Sequence, residues 1–135
     1  MKLTRRDLAY LLPALATAQT SGSSQTFRNE DIKPARNGAL VSRQMLKGAT
    51  HTGFPLDLHE SELAAGDAPH AAHHHVHEEL LLIREGTLEV TIEGKVTRLG
   101  PGSTAFLASG QEHGWRNVGN TTARYFVLAL GDDKA

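Results

Sequence analysis

The chain has 135 residues, no Cys, and 14 Lys plus Arg against 15 Asp plus Glu. That length suits one domain with a single modest core. The formal charge of −1 lacks the basic footprint of a nucleic-acid binder, and no apolar run is long enough for a membrane span. The missing Cys excludes disulfides, thiolate metal sites and a Cys nucleophile, so the eight His stand out, five of them (His70, His73, His74, His75, His77) within eight positions.

The chain opens on a positive start with paired Arg5 and Arg6, a short apolar stretch from Leu8 to Ala16 broken by Pro13, and an A-x-A-like site at Ala16-Thr17-Ala18. That order predicts an export signal over residues 1–18, and Thr4-Arg5-Arg6 resembles a twin-arginine signal. The competing reading is an amphipathic N-terminal helix. Cleavage removes Lys2, Arg5, Arg6 and Asp7, leaving 11 basic and 14 acidic side chains, a net −3, with every His retained. The expected location is the periplasm or another exported compartment. No stable membrane span is expected in the mature chain. Residues 19–37 begin Ser/Thr/Gln-rich and aperiodic, which predicts a flexible segment ahead of a domain over residues 38–135.

Short strands with Gly-rich punctuation follow. Ala39–Leu46 and Phe54–Leu63 are candidate strands, the second alternating Phe54, Leu56 and Leu58 with Pro55, Asp57 and His59. Glu78–Arg84 is nearly continuously apolar and ends at Glu85-Gly86, and Thr87–Glu93 alternates Leu88, Val90 and Ile92 before a turn at Glu93-Gly94. Lys95–Leu99, Thr104–Leu107, His113–Val118 and Thr121–Leu130 complete the series. Strands at short regular spacing with no helical period predict an all-β sandwich or barrel.

His73 and His75 sit two apart, so on one strand they would share a face, with Glu79 four residues on. His113 follows about forty residues after His75, just past a turn at Ser109-Gly110. Three imidazoles and a carboxylate make a mixed N/O site suited to a divalent first-row metal with one or two positions left open. A solvated, metal-sticky His tract is the plain alternative, but a tract predicts neither Glu79 nor the distant His113.

These residues resemble the cupin superfamily. Its first motif, G(x)5HxH(x)3–4E(x)6G, reads here as Gly66 one position early, His73-His74-His75, Glu79 and Gly86. The second, G(x)5PxG(x)2H(x)3N, reads Gly102, Ala108 in place of Pro, Gly110, His113 and Asn117. The resemblance implies a single-domain jelly-roll β-barrel. It also implies a metal held by His73, His75, Glu79 and His113, and a dioxygenase, isomerase or decarboxylase type of chemistry on a small organic molecule. The alternative is a non-catalytic module that binds a small ligand or a metal. No catalytic residue can be named. Mn or Fe is expected if the protein folds and fills before export, whereas raw affinity favours Ni, Cu or Zn.

His77, Phe106 and Trp115 are candidates for the pocket or for support behind the ligands, with core packing the competing fate of the two aromatics. His51, His59 and His70 are expected at the surface, and His74 on the face away from the site. Leu80 and Leu82 alternate with Glu79, Leu81 and Ile83, which puts them on the far side of the strand. Apolar residues there suggest a cover, either a homodimer partner or the chain's own N-terminal segment.

Overall fold

The computed structural model describes residues 23–134, so the expected signal over residues 1–18 lies outside the described residues. Among them run β1 (Ala35–Asn37), β2 (Leu40–Ala49), β3 (Pro55–Leu63), β4 (Glu78–Glu85), β5 (Leu88–Ile92), β6 (Lys95–Leu99), β7 (Thr104–Leu107), β8 (His113–Asn117) and β9 (Ala123–Leu130). All pair antiparallel, in a six-stranded sheet ordered β1-β2-β3-β9-β4-β7 and a three-stranded sheet ordered β6-β5-β8. The fold is all-β, as the strand spacing predicts.

Turn chemistry fixes the register. Glu93 and Gly94 carry φ of 47° and 78°, the pair of positive angles that closes a two-residue hairpin between β5 and β6. Gly86, after β4, has φ +83°, and a Cβ there would lie 2.9 Å from Ala123 at the head of β9. Only glycine meets both demands, so β5 can leave the large sheet while β9 passes close beneath it.

The core lies between the sheets, built from Leu63, Leu81, Ile83, Leu88, Val90, Leu107, Trp115, Ala123, Tyr125 and Val127. Asn117 is fully buried at its edge, and its side chain joins three backbone segments. Nδ2 donates to the carbonyls of Leu63 (2.9 Å) and Thr121 (2.8 Å), and Oδ1 accepts from Gly119 N–H (3.0 Å). This Asn closes the second sequence motif, and its role is to hold the loop behind β8 against β3.

One stretch differs from the expectation of a flexible segment over residues 19–37. Ala35–Asn37 pair with Leu40–Ser42, and a single 3-10 turn covers Asn29–Asp31. Asn29 Nδ2 donates to Glu60 Oε2, and Arg84 Nη1 donates to Glu60 Oε1 at 2.8 Å, so this carboxylate is fully buried on the outer side of β3. Satisfying a buried carboxylate requires such donors, which is why the chain before β1 folds back onto the sheet.

Candidate metal centre

His73, His75 and His77 sit in the long loop between β3 and β4 rather than on a strand. An isolated bridge supplies the order that a strand would have given. His73 N–H donates to His113 C=O at 3.0 Å, and His113 N–H donates to His73 C=O at 2.8 Å. Residues opposed in this way project to one side, and the two rings lie 5.1 Å apart between centroids. Gly110 N–H donates to His75 C=O at 2.8 Å, which ties the turn before β8 to the same loop. The His75 ring then stands 5.2 Å from His73 and 4.7 Å from His113.

The tautomers are set by backbone carbonyls. His75 Nδ1 lies 2.7 Å from His77 C=O and His113 Nδ1 lies 2.9 Å from Gln111 C=O, so each Nδ1 carries the proton and each Nε2 presents a lone pair. Glu79, the second residue of β4, brings Oε2 to 3.5 Å from both Nε2 atoms. All three atoms are buried and none has a hydrogen-bond partner. Orphaned acceptors that converge from separate elements are costly unless a cation joins them, and their spacing suits donors on one ion. His73, His75 and His113 together form a cluster able to hold a metal. The ring of His73 is exposed. Desolvation, and then the neighbouring His70, His113 and His75, keep its pKa below that of an ordinary imidazole, which favours the neutral form that ligates.

His77 stands behind this group. Its ring stacks on His75 at 3.6 Å and 4°, Nε2 lies 3.5 Å from Glu79 Oε1, and Nδ1 lies 2.7 Å from Asp133 Oδ1. The same Asp133 oxygen accepts from the N–H groups of Val76 (3.2 Å) and His77 (3.3 Å). The His77 hydrogen bond lowers the Asp133 pKa, so this side-chain carboxylate stays charged while it braces the loop. Sequence reasoning missed Asp133, because nothing in spacing or periodicity links a C-terminal tail to a loop more than fifty residues away.

Trp115 belongs to the core next to the site. It is buried, parallel to His113 at 6.4 Å and edge-on to Tyr125 at 5.9 Å. Burial raises the Tyr125 pKa, and nearby Trp115 and Ser61 pull the other way, yet the hydroxyl meets no hydrogen-bond geometry. Phe106 corrects the expectation of a pocket wall or core residue. On β7, Leu107 takes the inward place opposite Glu79, so Phe106 faces outward opposite Leu80 and is 53% exposed. His59 departs from the expected surface position as well. It lines a cavity of about 930 Å³ together with His77 and Glu79. His51 is exposed in a turn, and exposed His70 stacks on His73 at 4.0 Å.

Residues 59–129, just over half of the chain, match the cupin domain family Cupin_2. The chain belongs to the cupins. Its similarity to the tetracenomycin polyketide synthase protein TcmJ of Streptomyces glaucescens is 30% identity over 110 residues, 78% of this cupin and 71% of that protein. Among solved structures, a predicted oxalate decarboxylase from Thermotoga maritima superposes with a TM-score of 0.72 at 21% identity, covering 80% of this cupin and all of that chain. The polyketide cyclase RemF from Streptomyces resistomycificus gives 0.68 at 21% identity over 84% and 83% of the two chains. These superpositions identify the two-sheet arrangement as the cupin jelly roll.

Proposed function

We propose that this cupin holds one divalent transition metal on His73, His75, Glu79 and His113 and acts on a small oxygenated organic molecule in the adjoining cavity. The observation that carries this reading is the convergence of three buried, unpartnered acceptors, His75 Nε2, His113 Nε2 and Glu79 Oε2. A bound metal would supply Lewis acidity toward a carbonyl or hydroxyl oxygen. The protein's own groups do the rest. His77 and Asp133 hold Glu79 and the loop in place, Trp115 packs beside the His113 ring, and the cavity lined by His77 and Glu79 takes the ligand. Similarity to a polyketide synthase protein and a polyketide cyclase supports a polyoxygenated ring compound as substrate.

Elemental analysis of purified protein is expected to give about one metal per chain. His75→Ala, His113→Ala and His73→Ala should each lose most of it, since losing one ligand of four disturbs the geometry as well as the charge. Unchanged metal in all three variants would sink the assignment. Turnover of hydroxylated aromatics by loaded protein supports an enzyme, whereas ligand-dependent stabilisation without turnover supports the binding module.

The reading also includes export through residues 1–18 and a homodimer. Folding and filling before export would favour Mn or Fe, because availability inside the cell then overrules the Irving–Williams order. Arg5→Lys with Arg6→Lys is expected to hold the metal-loaded precursor in the cytoplasm. Normal export of that variant, or a periplasmic protein carrying mainly copper, would contradict this route.

A further inference from the structure

The cavity beside the histidine cluster has a second polar end. On β3, Leu58 pairs into an outer row of the sheet, while Asp57 and His59 line the cavity together with Leu56 at the strand's start. His59 Nδ1 lies 3.5 Å from Asp57 Oδ1, and the same carboxylate oxygen accepts from Gln44 Nε2 at 2.9 Å. Lys47 Nζ stands 3.9 Å from the other oxygen. The adjacent carboxylate favours the tautomer that carries its proton on Nδ1. Nε2, on the opposite edge of the ring, makes no hydrogen bond among the described residues. Both side chains are about 30% exposed, enough to meet a ligand yet shielded enough for a hydrogen bond to count. His59, joined by Gln44, is also the largest influence holding the Asp57 pKa down, so the orienting charge persists at neutral pH.

The sheet register measures the distance between the two ends. Asp57 opposes Ala129 on β9, and Ala129 opposes Glu79 on β4, so all three share one row of the ladder. Two inter-strand spacings separate the Asp57 and Glu79 backbones by roughly 10 Å. In that row the methyl group of Ala129 stands between them, and Leu40, Pro55 and Leu56 add apolar surface to the cavity wall. A low apolar floor with a polar group at each end fits a flat molecule of two fused rings with an oxygen at each extremity.

We propose that Asp57 and His59 form a distal anchor, with His59 Nε2 accepting a hydrogen bond from a ring hydroxyl whose opposite end reaches the His73, His75, Glu79 and His113 centre. This rests on the metal-site reading above and adds to it the shape and polarity of the ligand. The anchor accepts a donor, so it prefers a hydroxyl over an ether of the same shape. A carboxylate at that end would be repelled by Asp57.

The test compares two probes on metal-loaded protein by calorimetry. One is the naphthalene diol with hydroxyls at the opposite ends of its fused rings, and the other is its monomethyl ether. Wild-type protein should bind the diol roughly five- to tenfold more tightly, the worth of one hydrogen bond. In His59→Phe, which keeps a planar ring, the preference should fall to about one, with affinity for the ether and metal content unchanged. Asp57→Asn frees the imidazole from its fixed tautomer and should lower the preference while leaving metal content intact. Equal binding of both probes by wild type, no binding of either, or a preference that survives both substitutions would overturn the anchor. Those failures in protein that holds its metal leave the metal centre standing. Protein that retains no metal overturns both.

Discussion

The distribution of partners among neighbouring residues separates the groups that hold the site from those that are free to bind. His75 and His113 spend Nδ1 on backbone carbonyls and keep Nε2 unpartnered, while His77 engages both ring nitrogens with carboxylates. Ring stacking at 3.6 Å makes His77 a brace for His75, an arrangement in which the supporting residue fixes the rotamer of the binding one. Asp57 gives a residue-scale prediction about pH. Its pKa is lowered chiefly by the hydrogen bond with His59 and by Gln44, against the opposing effect of burial. A folded-state pKa below the unfolded value near 3.8 contributes stability that is present above that value and fades as pH falls through the lower folded pKa. Asp57→Asn should therefore cost stability at pH 7, by less than about 1 kcal/mol given solvent screening, with the gap closing as pH falls below the unfolded value near 3.8. Urea melts of both proteins from pH 7 down through that value measure it. A difference that stays constant down to the lowest pH would show that the carboxylate charge contributes nothing.

At the scale of strands, alternation was readable but its direction was not. The strand limits expected from Gly-rich punctuation recur closely, with Lys95–Leu99 and Thr104–Leu107 reproduced residue for residue. On β4 the rule that apolar residues face inward holds for Leu81 and Ile83, both essentially buried, but not for Leu80 and Leu82, which face outward. On β3 it inverts near the barrel mouth. Asp57 and His59 face the cavity and Leu58 the outside, because a ligand cavity rewards polar residues that a closed core would reject. β7 shows the same ambiguity, with Phe106 outward and the smaller Leu107 inward. The histidine and glutamate spacing was legible through its likeness to the two cupin motifs, although His73 and His75 lie in a loop and not on the strand their spacing suggested. The bridge between His73 and His113 is a long-range pairing with no sequence period of its own. Asp133, Asn29 and the three-residue β1 also left no signal, since each depends on one contact made only after the sheet has formed.

At the scale of the molecule, those outward residues line up. Leu46, Leu58, Leu128, Leu80 and Phe106 oppose one another in turn across β2, β3, β9, β4 and β7, forming one apolar row on the outer face of the large sheet. Leu82 and Phe126 oppose each other in the next row. Leu80, Leu82 and Phe106 are 36%, 40% and 53% exposed, a cost in water that a second copy packed face to face would remove. The turn at Asn29–Asp31 does not meet this need, because its anchor is Glu60, opposite Phe126 on the side away from Leu82. The expected outcome is a dimer by light scattering at micromolar concentration. Leu82→Glu should convert it to a folded monomer, since the side chain points away from the core and its replacement leaves Leu81 and Ile83 in place. A wild-type monomer would remove the inference. If that monomer also lost stability on Leu82→Glu, the cover would be the chain's own N-terminal segment. Because Leu80 follows Glu79 directly on β4, a dimer would press on the strand that carries the carboxylate of the metal centre. The monomeric variant should therefore release metal to a chelator faster than the dimer, while keeping the same metal content at equilibrium.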